Sequence, residues 1–309
     1  MKKYKICKIL LVILAIFLCV AFYELLGICV AYKKQPEVSN TTKKETKNGS
    51  WNECSENTER AVIIEKNPEA LLQRVRLIKN AKKEIILSTF AFQSDESGKL
   101  ILGALHDAAD RGVHIRLLVD GMESWIDMEG NPYFYGLSSH ENVEIKLYNK
   151  ANPLKPWKMM GRMHDKYLIA DGKRYILGGR NTYNYFLGDF PGHKNYDRDV
   201  LVVCDEPEKE NSVNQLLEYF ETIWEQEDSG YFHDNKKLAN RKSVKNAVLE
   251  LQNGYQKYFE ENKERICDTD YTDETFETEK IALVSNPIHT GPKEPVVWYQ
   301  LGELMKNAK

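Results

Sequence analysis

Residues 163–181 leave this chain little freedom. Tyr167, Leu168 and Ile169 favour a strand, Asp171-Gly172 is a hairpin-turn signal, and Arg174-Tyr175-Ile176-Leu177 reads as the return strand, ending at Gly178-Gly179. On the first strand His164 and Lys166 stand two apart, so their side chains share a face. Missing side chains at Gly178 and Gly179 would let backbone N–H groups approach an anion, and Asn181 adds an amide donor. The spacing H-x-K-x4-D-x6-G-G-x-N thus brings an imidazole, an ammonium, an amide and bare backbone toward one anionic group.

The flanking sequence predicts a sheet to hold this ribbon. Apolar strands recur near residues 85–92, 114–119, 143–148, 166–170, 174–177 and 199–204. Helices are expected from Asn67-Pro68 to residue 82, over 98–111, from Pro207 to 226, and over 241–263. With 309 residues and 42% hydrophobic content, a large core is affordable, and the alternation gives an α/β fold whose sheet is flanked by helices. The stripe Leu216, Leu217, Phe220, Ile223, Trp224 reads as packing.

The motif resembles the signature of the phospholipase D superfamily. Residues 85–92, Gly98-Lys99-Leu100, residues 108–113 and 117–121, Asn181 with Tyr185-Phe186, and Asp197-Arg198-Asp199-Val200 extend the likeness. Gly-Gly-Arg-Asn followed by an aromatic pair looks most like the bacterial cardiolipin synthase branch. The resemblance implies phosphodiester cleavage or exchange through a phosphohistidine, with two histidines working as a pair. It makes His164 the nucleophile, although the acid/base role stays open. It implies that Lys166, Gly178, Gly179 and Asn181 hold phosphoryl oxygens. Asp171 would orient an imidazole, either that of His164 or that of its partner. No cofactor and no metal are implied.

A second H-x-K motif is absent from the sequence. Residues 300–309 match residues 73–82 at six of ten positions, which reads as the start of a second, truncated half. The second motif would come from a missing C-terminal half or from a homodimer partner. The expected organisation is a membrane anchor at 1–34, a polar linker at 35–58, and a phospholipase D-like domain at 59–230. A helical and acidic connector follows at 231–280, and the truncated half occupies 281–309.

Residues 9–32 are almost entirely apolar apart from Glu24, and would span roughly 36 Å as a helix, enough for a bilayer. Lys2, Lys3, Lys5 and Lys8 precede the run; Lys33 and Lys34 follow it. An uncleaved signal anchor is expected rather than a cleaved signal peptide, with the catalytic part outside the cell membrane. The cysteines have no zinc-ligand spacing and form no disulfide framework. A formal charge of −3 gives no global push toward nucleic acid. Locally, Lys146, Lys150, Lys155, Lys158, Arg162, Lys166, Lys173, Arg174 and Arg180 face only Asp165 and Asp171, a cationic zone suited to anionic headgroups.

Three functions compete. A phosphatidyltransferase of the cardiolipin synthase type acting on phosphatidylglycerol fits the membrane segment and the local charge. A phospholipase D, or a single-motif nuclease working as a dimer, would use water as acceptor; a nuclease would carry excess basic charge throughout. A catalytically incomplete chain that only binds anionic lipid is the non-enzymatic reading, and the intact His164, Lys166, Asp171 and Asn181 argue against it.

Overall fold

The computed structural model describes residues 2–49, 59–204, 211–233 and 235–307. The linker beyond residue 49 with Cys54, the acidic run at 205–210, and Ala308-Lys309 lie outside the described residues. The chain divides into two compact units: Met1–Asn48 with Ala151–Arg162 and Val284–Lys309, and Gly49–Lys150 with Met163–Leu283.

In the first unit, α1 (Lys2–Tyr32) contains a candidate span, Tyr4–Tyr32, whose most apolar 18-residue window has mean hydropathy 2.9. Its side chains are largely exposed, and its length and composition fit a single-pass membrane protein. Tyr23 donates to the carbonyl of Leu154 and Tyr32 to that of Thr290, each at 3.1 Å. Part of the expected linker is folded: α2 (Asn40–Asn48) starts where Ser39 Oγ accepts from Thr42 N–H at 3.1 Å. The Glu294 carboxylate accepts from Ser39 N–H at 2.8 Å and Thr42 Oγ1 at 2.7 Å. Residues 300–307 of the echo of 73–82 fall in α10 (Val296–Asn307), and residues 281–284 form no strand.

In the second unit one nine-stranded sheet runs β8-β4-β3-β2-β5-β6-β7-β1-β9. In chain order these are β1 (Glu59–Ile64), β2 (Glu84–Thr89), β3 (His114–Asp120), β4 (Val143–Tyr148), β5 (Tyr167–Ala170), β6 (Arg174–Gly178), β7 (Asp199–Cys204), β8 (Ser229–Tyr231) and β9 (Phe276–Glu277). β2, β3 and β4 are parallel, because α4 (Glu96–Asp110) and the short α5 (Gly121–Asp127) and α6 (Pro132–Ser138) carry the crossovers. β5 to β7 form an antiparallel meander, and β5 pairs antiparallel with β2, joining the two halves of the sheet.

Strand alternation sorts the two faces. Ile85, Leu87, Ile115, Leu117, Leu168, Ile176 and Leu201 share a core with α4, α6 and α3 (Asn67–Asn80). The alternate residues face the other way; there α7 (Ser212–Trp224) packs Phe220 edge-on to Tyr167, 6.5 Å between ring centroids. Leu216, Phe220, Ile223 and Trp224 of the α7 stripe are buried, as expected, while Leu217 is half-buried.

Residues 231–280 do not act as a connector. α8 (Lys242–Glu261) buries Val244, Leu251, Tyr255 and Phe259 in the core shared with α4, while α9 (Lys263–Cys267) adds Ile266. β8 and β9 close opposite sheet edges. The polar composition of α8 reflects its outward face alone.

Candidate active site

The β5–β6 turn forms as the Asp-Gly pair dictates: Asp171 and Gly172 both have left-handed backbones, at φ 55° and 62°. The other end of β5 differs slightly from expectation, because the strand begins at Tyr167 and His164 and Lys166 precede it. They are nonetheless fixed. Gly178 N–H donates to Lys166 O at 3.1 Å, continuing the ladder. Met163 N–H donates to the buried Asp120 carboxylate at 3.0 Å, whose other oxygen caps α5 through Met122 N–H at 3.0 Å.

Lys166 and His164 meet as their spacing predicts. The ammonium donates to the carbonyl of His164 at 2.8 Å and lies 3.0 Å from its Nδ1. The Phe90 ring stands edge-on to the imidazole with centroids 4.6 Å apart, and Lys166 Nζ lies 5.5 Å from the same ring. The imidazole is exposed, whereas Lys166 is 5% exposed. Burial pushes the Lys166 ammonium down to about 8, against the raising influence of Asp165 and Asp197. Asp165 points to the α7 side, where Tyr219 donates to it at 2.7 Å.

This geometry sets the proton arithmetic. A charged Lys166 can only donate, so Nδ1 accepts and a neutral imidazole carries its proton on Nε2.

Asn181 is buried, and its Oδ1 accepts from Ala91 N–H at 3.2 Å. The Tyr183 hydroxyl, raised by burial, shares a hydrogen bond with the Asn181 side chain. The two glycines serve a different purpose from the one expected. Their N–H groups are engaged by Lys166 O and Arg198 O, at 3.1 and 3.4 Å. A Cβ at Gly178 would stand 2.7 Å from Asp199 Cα, and one at Gly179 would collide with the Asp197 carboxylate. Close packing against residues 197–199, rather than an open anion cradle, demands glycine.

Asp171 is likewise relocated. Its carboxylate accepts from the backbone N–H groups of Lys82, Lys83 and Glu84 at 2.7–3.1 Å. Six residues separate it from His164, roughly 20 Å along an extended chain, so in this chain it anchors the turn and does not orient that imidazole. The cationic zone also dissolves. Lys146 and Lys150 donate to the carbonyls of Trp224 and Tyr231, at 2.8 and 2.6 Å. Lys173 and Arg174 stand at the Asp171 end, and Lys155, Lys158 and Arg162 belong to the first unit. Arg180 is buried, 3.2 Å from Asp199, which Arg74 also meets at 2.9 Å. Lys166 alone of the nine is placed beside His164 within the sheet unit.

Phe90, Asp120 and Asp197 complete the site. The sequence marked Asp120 only as a strand end before Gly121, although an Asp at that position is an N-cap signal. Asp197 also lines a cleft of about 700 Å³ with Asn67, Lys194, Tyr196 and Arg198. Among the described residues no cluster of His, Cys, Asp or Glu is able to hold a metal ion.

A family described as cardiolipin synthase, PLD-like domain, matches residues 74–224. An uncharacterised protein of Helicobacter pylori strain J99 is 30% identical over 212 residues, covering 64% of this chain and 39% of the relative. Cardiolipin synthase C of Escherichia coli K12 is 29% identical over 171 residues, covering 51% of this chain and 34% of the enzyme. The chain therefore spans well under half the length of these curated relatives. A phosphatidylserine synthase of Haemophilus influenzae Rd KW20 overlays with a TM-score of 0.47 at 16% identity, covering 80% of this chain and 52% of that one. The family match over the reactive segment, together with the cardiolipin synthase relatives, places residues 74–224 in the phospholipase D superfamily.

Proposed function

We propose that this chain is a membrane-attached phosphatidyltransferase of the cardiolipin synthase type, acting on phosphatidylglycerol. The observation that carries the reading is the exposed His164 imidazole with the buried Lys166 ammonium 3.0 Å from its Nδ1. His164 Nε2 attacks phosphorus, the bond to the leaving glycerol oxygen breaks, and a second imidazole gives that oxygen a proton. The same imidazole then takes the proton of an incoming hydroxyl, which displaces His164 and restores the diester. Lys166 and Asn181 hold the non-bridging oxygens throughout.

None of the other six histidines has a lysine two residues on, so the second imidazole comes from a second H-x-K segment. A second copy of the chain or sequence adjoining residues 281–309 would supply it. The apolar helix α1 supports a lipid substrate, and the formal charge of −3 argues against nucleic acid.

The test is lipid mass spectrometry after incubation with phosphatidylglycerol. Cardiolipin formation, abolished by His164→Ala, is the expected result. Phosphatidic acid in its place would assign water as the acceptor. Undiminished product from His164→Ala protein would remove His164 as nucleophile.

A further inference from the structure

The far end of β5 carries a cleft that the phosphoryl chemistry does not use. It has a volume of about 340 Å³ and is lined chiefly by Lys82, Lys83, Asp171, Lys173, Arg174 and Thr269. Four side-chain cations thus face one carboxylate. That carboxylate already accepts from the three amides of residues 82–84, which disperses its charge. Among the described residues none of the four cations forms an ion pair. The Arg174 guanidinium lies 5.1 Å from the Tyr271 ring, and its buried Nε has no hydrogen-bond partner. The acids flanking Thr269 are engaged elsewhere: Asp268 pairs with Arg76 at 3.3 Å, and Asp270 accepts from Thr272 N–H at 2.9 Å. A buried guanidinium donor left unmet in a basic cleft is costly unless an anion completes it.

We propose that this cleft is a second anion site, which takes a phosphate group, free or as the phosphomonoester headgroup of a lipid. A guanidinium fork with three point charges suits a doubly charged tetrahedral oxygen set better than a lone carboxylate. The volume is at the small end of ligand pockets, which fits one phosphate-bearing head and no polymer. At roughly 20 Å from His164, a ligand here does not compete with the substrate diester. The assignment does not depend on which reaction His164 performs.

The experiment is isothermal titration calorimetry on the detergent-solubilised full chain carrying Lys166→Met, which removes the cation of the reactive site. The probes are inorganic phosphate and dihexanoyl phosphatidic acid. Saturable binding is expected to persist in this background and to weaken at least tenfold when Lys82→Gln, Lys83→Gln and Lys173→Gln are added. These three lysines are exposed, so the fold is retained. Arg174→Lys keeps the charge but removes the fork, and is expected to weaken binding at least threefold. Binding of inorganic phosphate marks free phosphate as a sufficient ligand; binding of the lipid alone marks the headgroup as the source. The proposal is overturned if neither probe binds to the Lys166→Met protein, if the triple variant binds as its parent does, or if Arg174→Lys changes nothing.

Discussion

Replacing Lys166 by Met separates what this residue does for catalysis from what it costs the fold. Burial lowers the ammonium from 10.5 to about 8, so the site disfavours the charge by no more than about 3 kcal/mol. Methionine has similar length and no charge. It forfeits the contacts to His164 O and Nδ1, each about 1 kcal/mol. The balance leaves the variant about 1 kcal/mol more stable at pH 7, a rise of roughly 2 °C in the unfolding midpoint. The pH dependence fixes the sign. The folded pKa lies below the unfolded one, so between pH 8 and 10.5 the unfolded chain binds more protons and the wild type gains stability. The advantage of the variant must therefore shrink across that window and turn into a deficit of about 2 kcal/mol above it, the value of the two lost contacts. Turnover should fall about 10²–10³-fold, as for loss of one donor to developing charge. In the wild type, kcat/KM should decline as pH rises through about 8, where Lys166 loses its proton. Midpoints by differential scanning fluorimetry from pH 7 to 10.5, beside turnover by lipid mass spectrometry, test both halves. A variant less stable than wild type at pH 7, or an advantage indifferent to pH, would refute the account of a strained buried charge.

Two further outcomes follow from the corrected roles. Asp171→Ala should lower stability by about 2 kcal/mol, through the stranded amides of residues 82–84, while turnover per folded molecule stays within about twofold. Lost turnover at an unchanged midpoint would return Asp171 to the reaction. Gly178→Ala should cost about 1–3 kcal/mol by pressing β6 away from Asp199; a chemical-denaturation midpoint equal to wild type would show that β7 yields freely.

The parts of the fold legible in the sequence were those carried by short-range pattern. The meander of β5 to β7 and the Asp171-Gly172 turn announce themselves through alternation and turn chemistry. The juxtaposition of His164 with Lys166 was equally local. What escaped were relations between distant residues. Asp171 looked reactive because its partners, the amides of residues 82–84, belong to a strand neighbour that spacing cannot name. Gly178 and Gly179 looked like an anion cradle because nothing local reveals residues 197–199 pressed against them. Arg180 counted as surface charge until its buried pairing with Asp199 appeared. The length and polarity of α8 hid a core stripe that alternation with strands did not require.

The chain leaves the sheet unit after Lys150 and returns at Met163, one peptide bond before His164; the intervening twelve residues belong with the apolar helix. His164 is therefore the second residue of the sheet unit after that excursion. The bond from Met163 N–H to Asp120 fixes the backbone at the point of re-entry. Asp120 is in this sense a mooring post for the segment that carries the imidazole.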